Sequence, residues 1–169
     1  MLKHFVDSLT LLQFWQSGLS LIDIGSGPGF PGLPLKIADP ALNLTLVEAT
    51  EKKVNFLKHM TRKLKLEHVN IVHATLSPKK LILPAASFDW AVSRATFKLD
   101  LFLKIASPYL KPGGKAIAMK GPSVDSEIKA CASILESIEL NYKQNVEFLL
   151  PIANEKRSLI IFERKKIEI

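Results

Sequence analysis

Cysteine is almost absent: Cys131 is the only one in 169 residues. A lone thiol excludes a disulfide framework and a cysteine-based metal site. His4, His59, His68 and His73 show no metal-ligand spacing, so no metal is expected. No apolar run approaches the roughly 18 residues of a membrane span. The opening Met1-Leu2-Lys3-His4 lacks the layout of a signal peptide. Internal repeats, linkers and low-complexity stretches are missing too. The expectation is a cytoplasmic monomer with one domain over 1–169, in which 1–18 form a helical lead-in. Acidic residues are the scarcer charge, 16 against 23 Lys and Arg, for a net +7. That balance favours a polyanionic partner, nucleic acid ahead of membrane.

What is present in excess is glycine, in one place. Leu21-Ile22-Asp23-Ile24 is a short apolar run, and Gly25-Ser26-Gly27-Pro28-Gly29-Phe30-Pro31-Gly32 breaks it. This is a strand, a tight turn and the start of a helix over 33–38, where an α/β fold binds a nucleotide. A first helix is predicted over 6–16, with Asp7 or Ser8 as its cap. Further strands are predicted at 42–47, 69–72, 88–92 and 115–119, and helices at about 50–64, 99–110 and 125–138. The stretch 74–86, with Pro78 and Pro84, reads as irregular. Apolar runs at 142–150 and 158–162 read as a closing hairpin. Strands alternating with helices imply a mostly parallel sheet covered on both faces, with one antiparallel member near the end.

Gly27-Pro28-Gly29-Phe30-Pro31-Gly32 matches the dinucleotide fingerprint, a weak signal alone. Pro28 and Pro31 each remove an N–H that would hold a pyrophosphate. A ligand without phosphates fits better. The frame from Asp23 through Gly25, Gly27 and Gly29 resembles the first motif of Rossmann-like S-adenosylmethionine-dependent methyltransferases. Glu48, at the end of the second strand, can accept from both ribose hydroxyls. NAD enzymes use the same device, so an NAD-dependent oxidoreductase stays open at this point.

Several pieces read together sharpen the resemblance. They are Asp23 through Gly32 with Pro34-Leu35, Leu46-Val47-Glu48 with Lys52-Lys53 and Phe56-Leu57, Ser93-Arg94-Ala95, and Met119-Lys120-Gly121. The chain resembles the glucose-inhibited division protein B family, the RsmG-type 16S ribosomal RNA guanine-N7 methyltransferases. The likeness runs from His4-Phe5-Val6-Asp7-Ser8-Leu9 to Arg157-Ser158-Leu159. It implies a class I methyltransferase fold with a seven-stranded sheet, S-adenosylmethionine as cofactor, and 16S ribosomal RNA of the small subunit as partner. It also implies cofactor contacts at Gly25, Gly27, Phe30, Glu48, Leu76, Ser77 and Arg94, and places Lys120 and Arg157 around an RNA-facing cleft.

Two departures stand out. Thr75-Leu76-Ser77 replaces the family's Arg-x-Glu, whose acid faces the adenine. A helical extension normally precedes the His4–Ser8 segment, and this chain starts almost at that segment. A cofactor-binding but inactive or truncated module is therefore the alternative. No catalytic residue is expected, because guanine N7 attacks a sulfonium methyl without losing a proton. Cytosine-C5 chemistry needs a nucleophilic cysteine, and Cys131 falls inside a predicted helix. Lys52 to Lys65 form a basic helix face able to track phosphates.

Overall fold

A computed structural model describes residues 2–151 and 153–166. Seven strands make one sheet in the order β3-β2-β1-β4-β5-β7-β6. They are β1 (Ser20–Ile24), β2 (Asn43–Glu48), β3 (Val69–His73), β4 (Phe88–Arg94), β5 (Leu110–Lys120), β6 (Leu140–Leu150) and β7 (Glu155–Arg164). The first five run parallel, and β7 is antiparallel to both β5 and β6. The closing hairpin therefore inserts its second strand next to β5. The helices are α1 (Leu2–Leu9), α2 (Gly32–Ala38), α3 (Glu51–Lys63), α4 (Leu99–Ala106) and α5 (Asp125–Leu135).

Alternating residues of each strand feed two cores. Leu21, Leu35, Leu57 and Trp90 pack on one face, while Ile22, Ile24, Phe102 and Cys131 pack on the other. In β1 the residues Leu21, Ile22 and Ile24 are all buried, each worth about 1.5–3 kcal/mol of transfer free energy. Strand order reverses between β1 and β4, which opens a crevice at their carboxyl ends.

Two local expectations, on the first helix and on the fifth strand, are corrected. The first helix starts at Leu2 and continues as a 3₁₀ turn over Thr10–Phe14. Asp7 and Ser8 do not cap it: both are buried, and Ser8 Oγ donates to the carbonyl of His4. Phe56 and Leu57 lie 100° apart on α3, so only Leu57 can face the sheet, and Phe56 is left 45% exposed. The strand predicted at 115–119 starts earlier, at Leu110: Lys111-Pro112-Gly113-Gly114, read in the sequence as the stop of the helix over 99–110, runs within β5 as an irregularity opposite Phe88–Trp90. Gly114 is needed there because a Cβ would lie 3.0 Å from the carbonyl oxygen of Asp89.

Candidate functional site

The turn after β1 is fastened from below and from the side. Gly32 N–H, at the start of α2, donates to Asp23 Oδ2 at 2.9 Å. Any Cβ on Gly32 would sit 2.9 Å from that oxygen and 2.5 Å from Leu46 Cδ2, so only glycine lets the helix approach the strand this closely. Asp23 is fully buried and its Oδ1 has no partner among the described residues. Burial pushes its carboxyl up to about 7. Gly25 takes φ +74°, and its backbone lies under Thr96, whose hydroxyl donates to the Gly25 carbonyl at 3.3 Å.

Glu48 reaches across from β2. Its Oε2 accepts from Gly27 N–H at 2.8 Å and its Oε1 from Thr50 N–H at 2.8 Å. Burial raises its proton affinity, but these bonds and Lys53 at 4.0 Å outweigh it, so the carboxylate lies below its ordinary range. Each oxygen keeps a lone pair for an incoming hydroxyl. The resulting cavity is about 340 Å³. It is walled by Gly25, Gly27, Phe30, Glu48, Leu76 and Arg94, all anticipated from sequence. Ser77 is not on its wall; its backbone instead bridges to Lys80, and Thr75 and Leu76 take the lining positions.

Arg94, at the end of β4, stacks its guanidinium 5.1 Å from the centre of the Phe30 ring. Its Nη1 lies 3.5 Å from Asp7 Oδ2 and 3.2 Å from His4 Nδ1. Burial and the adjacent guanidinium hold His4 below its usual range, and because a guanidinium only donates, this contact uses the tautomer in which Nδ1 accepts. Phe5 packs edge-on against Phe30 at 5.1 Å. So α1 closes over one rim of the cavity. Arg157, on β7, meets the same carboxylate, with Nε 3.7 Å from Asp7 Oδ1, and also pairs with Glu155 at 2.6 Å. Neither arginine is an unengaged cation.

Lys120 is likewise engaged. Its ammonium donates to the Phe97 carbonyl at 2.8 Å and to Glu127 Oε2 at 2.9 Å. It lines a separate cavity between α4 and α5, not the one over the glycine turn. Residues that sequence reasoning missed are Lys53, Thr96 and Phe97 on the cavity wall, and Asp7 behind it. Position after the fourth strand was the available signal for Thr96 and Phe97. Asp7 gave none beyond its place in a motif. Among the described residues no helix is long and apolar enough to cross a membrane, and no cluster with metal-binding composition occurs.

The sheet order, the pinned glycine turn and the strand-two carboxylate define the S-adenosylmethionine-dependent methyltransferase fold. A methyltransferase of that class from Aquifex aeolicus superposes with a TM-score of 0.73 over 96% of this chain and 92% of its own, at 20% identity. Geranyl diphosphate C-methyltransferase from Streptomyces coelicolor, solved with S-adenosyl-L-homocysteine, gives 0.70 over 93% and 78%, at 16% identity. At sequence level the likeness is narrower. The rRNA small subunit methyltransferase G family matches residues 1–160. The chain is 40% identical to ribosomal RNA small subunit methyltransferase G of Geobacter sp. (strain M21), over 96% of this chain and 75% of that protein. It is 37% identical to the protein of the same name from Caldanaerobacter subterraneus, over 99% and 70%. The chain belongs to the rRNA small subunit methyltransferase G family. That membership sets aside the NAD-dependent oxidoreductase.

Proposed function

We propose that this chain transfers a methyl group from S-adenosylmethionine to N7 of a guanine in 16S ribosomal RNA of the small subunit. The observation that carries the reading is the cavity over the glycine turn, in a chain of this family. Its wall offers a carboxylate with lone pairs to spare and the apolar side chains of Val47 and Leu76. Pro28 and Pro31 contribute no N–H to the turn, so it is poor in the donors a diphosphate needs. A nucleoside with an amino-acid tail suits this wall. Glu48 would hold the ribose hydroxyls, Leu76 would flank the adenine, and the Gly25–Gly27 backbone and Phe30 would border the tail, with Arg94 fixed beside them.

When bound, S-adenosylmethionine supplies an electrophilic methyl group on a sulfonium sulfur. Guanine N7 brings its own lone pair, so no proton has to be removed before it attacks. The titratable side chains on the wall are Glu48, Lys53 and Arg94, and each is tied to a neighbour. This suits a reaction that asks for alignment and no general base. Alignment alone supplies up to roughly 7–11 kcal/mol in favourable intramolecular cases. The enclosing residues therefore serve to position two reactants and exclude water.

Incubation with cofactor carrying a labelled methyl group, and small subunits from a strain lacking the modification, tests the reading. Label is expected at N7 of one 16S guanine. Label on another base, or none while S-adenosylhomocysteine still binds in calorimetry, would reject it; the second result favours the inactive module. The same reading makes the chain a cytoplasmic monomer, and light scattering at micromolar concentration tests the monomer.

A further inference from the structure

The cavity between α4 and α5, about 530 Å³, adjoins the one over the glycine turn, and Phe97 is a wall of both. Its other walls include Lys98, Lys120, Glu127 and Cys131. Glu127 is held in place there. Its Oε2 accepts from Leu99 N–H at 3.2 Å and from Lys120 at 2.9 Å. Its Oε1 has no protein partner among the described residues, and the side chain is 39% exposed. Cys131, at the back, is buried, and its thiol is pushed up to about 11, so it is a neutral apolar wall and no nucleophile.

We propose that this second cavity receives the flipped target base, and that Glu127 selects guanine by accepting hydrogen bonds from its Watson–Crick edge. The inference rests on the guanine-N7 reading above. Enzymes that modify a base take it out of the stack, set it against aromatic or apolar side chains and read its pairing edge. The size fits a nucleobase with room to spare. The aromatic face is Phe97, and the ordered acceptor is Glu127. An ionised carboxylate only accepts. Guanine offers two adjacent donors, N1–H and the 2-amino group, whereas adenine offers an acceptor at N1. N7 lies on the neighbouring Hoogsteen edge, about a right angle around the ring from these donors, so it stays clear of Glu127 when the pairing edge meets the carboxylate. Phe97 belongs to both cavities, so a base stacked on it borders the first one. Lys98, exposed on its wall, suits a flanking phosphate. Glu127 touches the substrate in this arrangement but no reacting atom, so it determines specificity and carries out no chemistry.

The test compares the intact chain with Glu127→Gln. Glutamine keeps an oxygen for Leu99 N–H and Lys120, but adds a donor that suits adenine. Three quantities are measured: kcat/KM on unmodified small subunits, the inhibition constant of subunits carrying adenine at the target position, and the cofactor Kd by calorimetry. The substitution should lower kcat/KM at least tenfold. It should also shrink the guanine-to-adenine discrimination at least fivefold and leave the cofactor Kd within twofold. Unchanged kcat/KM with unchanged discrimination overturns the inference. So does a loss of kcat/KM with discrimination intact, or a cofactor Kd weakened in step, since either marks a structural role. A failure of the intact chain to label N7 would be a different result, striking the parent reading and this one with it.

Discussion

Asp23 shows at the scale of one residue how the site is held and what it costs. Its carboxyl is fully buried, takes one amide from Gly32 and leaves Oδ1 unpaired. Burial raises it to about 7 from an ordinary 3.8, against the smaller lowering by the Gly32 bond and Arg94. The folded state therefore holds a proton that the unfolded chain has lost, and stability falls as pH rises between these values. From pH 5 to pH 7 the loss is about 2 kcal/mol. Asp23→Asn still accepts from Gly32 but does not ionise. Urea unfolding of both proteins should show the variant gaining about 2 kcal/mol relative to the parent across that interval. Parallel pH profiles would show that Asp23 titrates normally. The motif made Asp23 visible in the sequence, but nothing there disclosed its burial. Glu48 and Arg94 are a similar case. Their positions after strands two and four were legible. Their partners were not, because Gly27 meets Glu48 and Asp7 meets Arg94 only once distant segments fold together.

At the scale of elements, the sequence order of strands and helices was readable wherever apolar period and breakers agreed. It blurred where tertiary pairing overrode them, as in β5 and in the long β6–β7 ribbon, which extend past their apolar runs by pairing with each other. The lead-in before β1 is the least local case. It is docked by Asp39, just past α2, whose carboxylate accepts from Trp15 Nε1 at 2.9 Å, Ser17 Oγ at 2.9 Å and Gly18 N–H at 3.1 Å. It also accepts from Ala41 N–H at 3.0 Å. Burial acts to raise Asp39, but these four bonds prevail and hold it below 3.8. Its contribution is present above 3.8 and is lost as pH falls through its lowered value. Asp39→Asn should cost about 1.5–3 kcal/mol at pH 7, in the range of hydrogen bonds to a charged group. That cost should disappear in strong acid. Thermal unfolding across pH checks it, and a cost that persists at low pH would assign the effect to packing.

At the scale of the whole molecule, the question is which part of the net +7 meets RNA. The basic face from Lys52 to Lys65 looked like one surface in the sequence. In the fold it is divided by the direction of α3, which starts beside Glu48 and runs back toward the start of β3. At 1.5 Å per residue, Lys63 in its last turn lies about 15 Å along the axis from Lys53 in its first. Lys53 therefore stands at the cavity mouth, while Arg62 and Lys63 sit near the opposite end of the sheet. Among the other basic groups near the strand ends, Arg94, Lys120 and Arg157 are in ion pairs, and exchanging those pairs for phosphates yields less than engaging a hydrated lysine. Lys98 is exposed and has no ion pair among the described residues, and Lys53 is half exposed with one long, solvent-screened pair, 4.0 Å from Glu48. These two should carry a measurable share of the counterion release. Binding of small subunits across a salt series should lose about 1.4 from its log–log slope in Lys53→Ala/Lys98→Ala, at 0.7 per single-strand phosphate contact. Lys58→Ala/Arg62→Ala/Lys63→Ala should keep the parent slope. If the second set flattens the slope and the first does not, RNA crosses the outer face of α3 and the strand-end surface is not the main electrostatic contact.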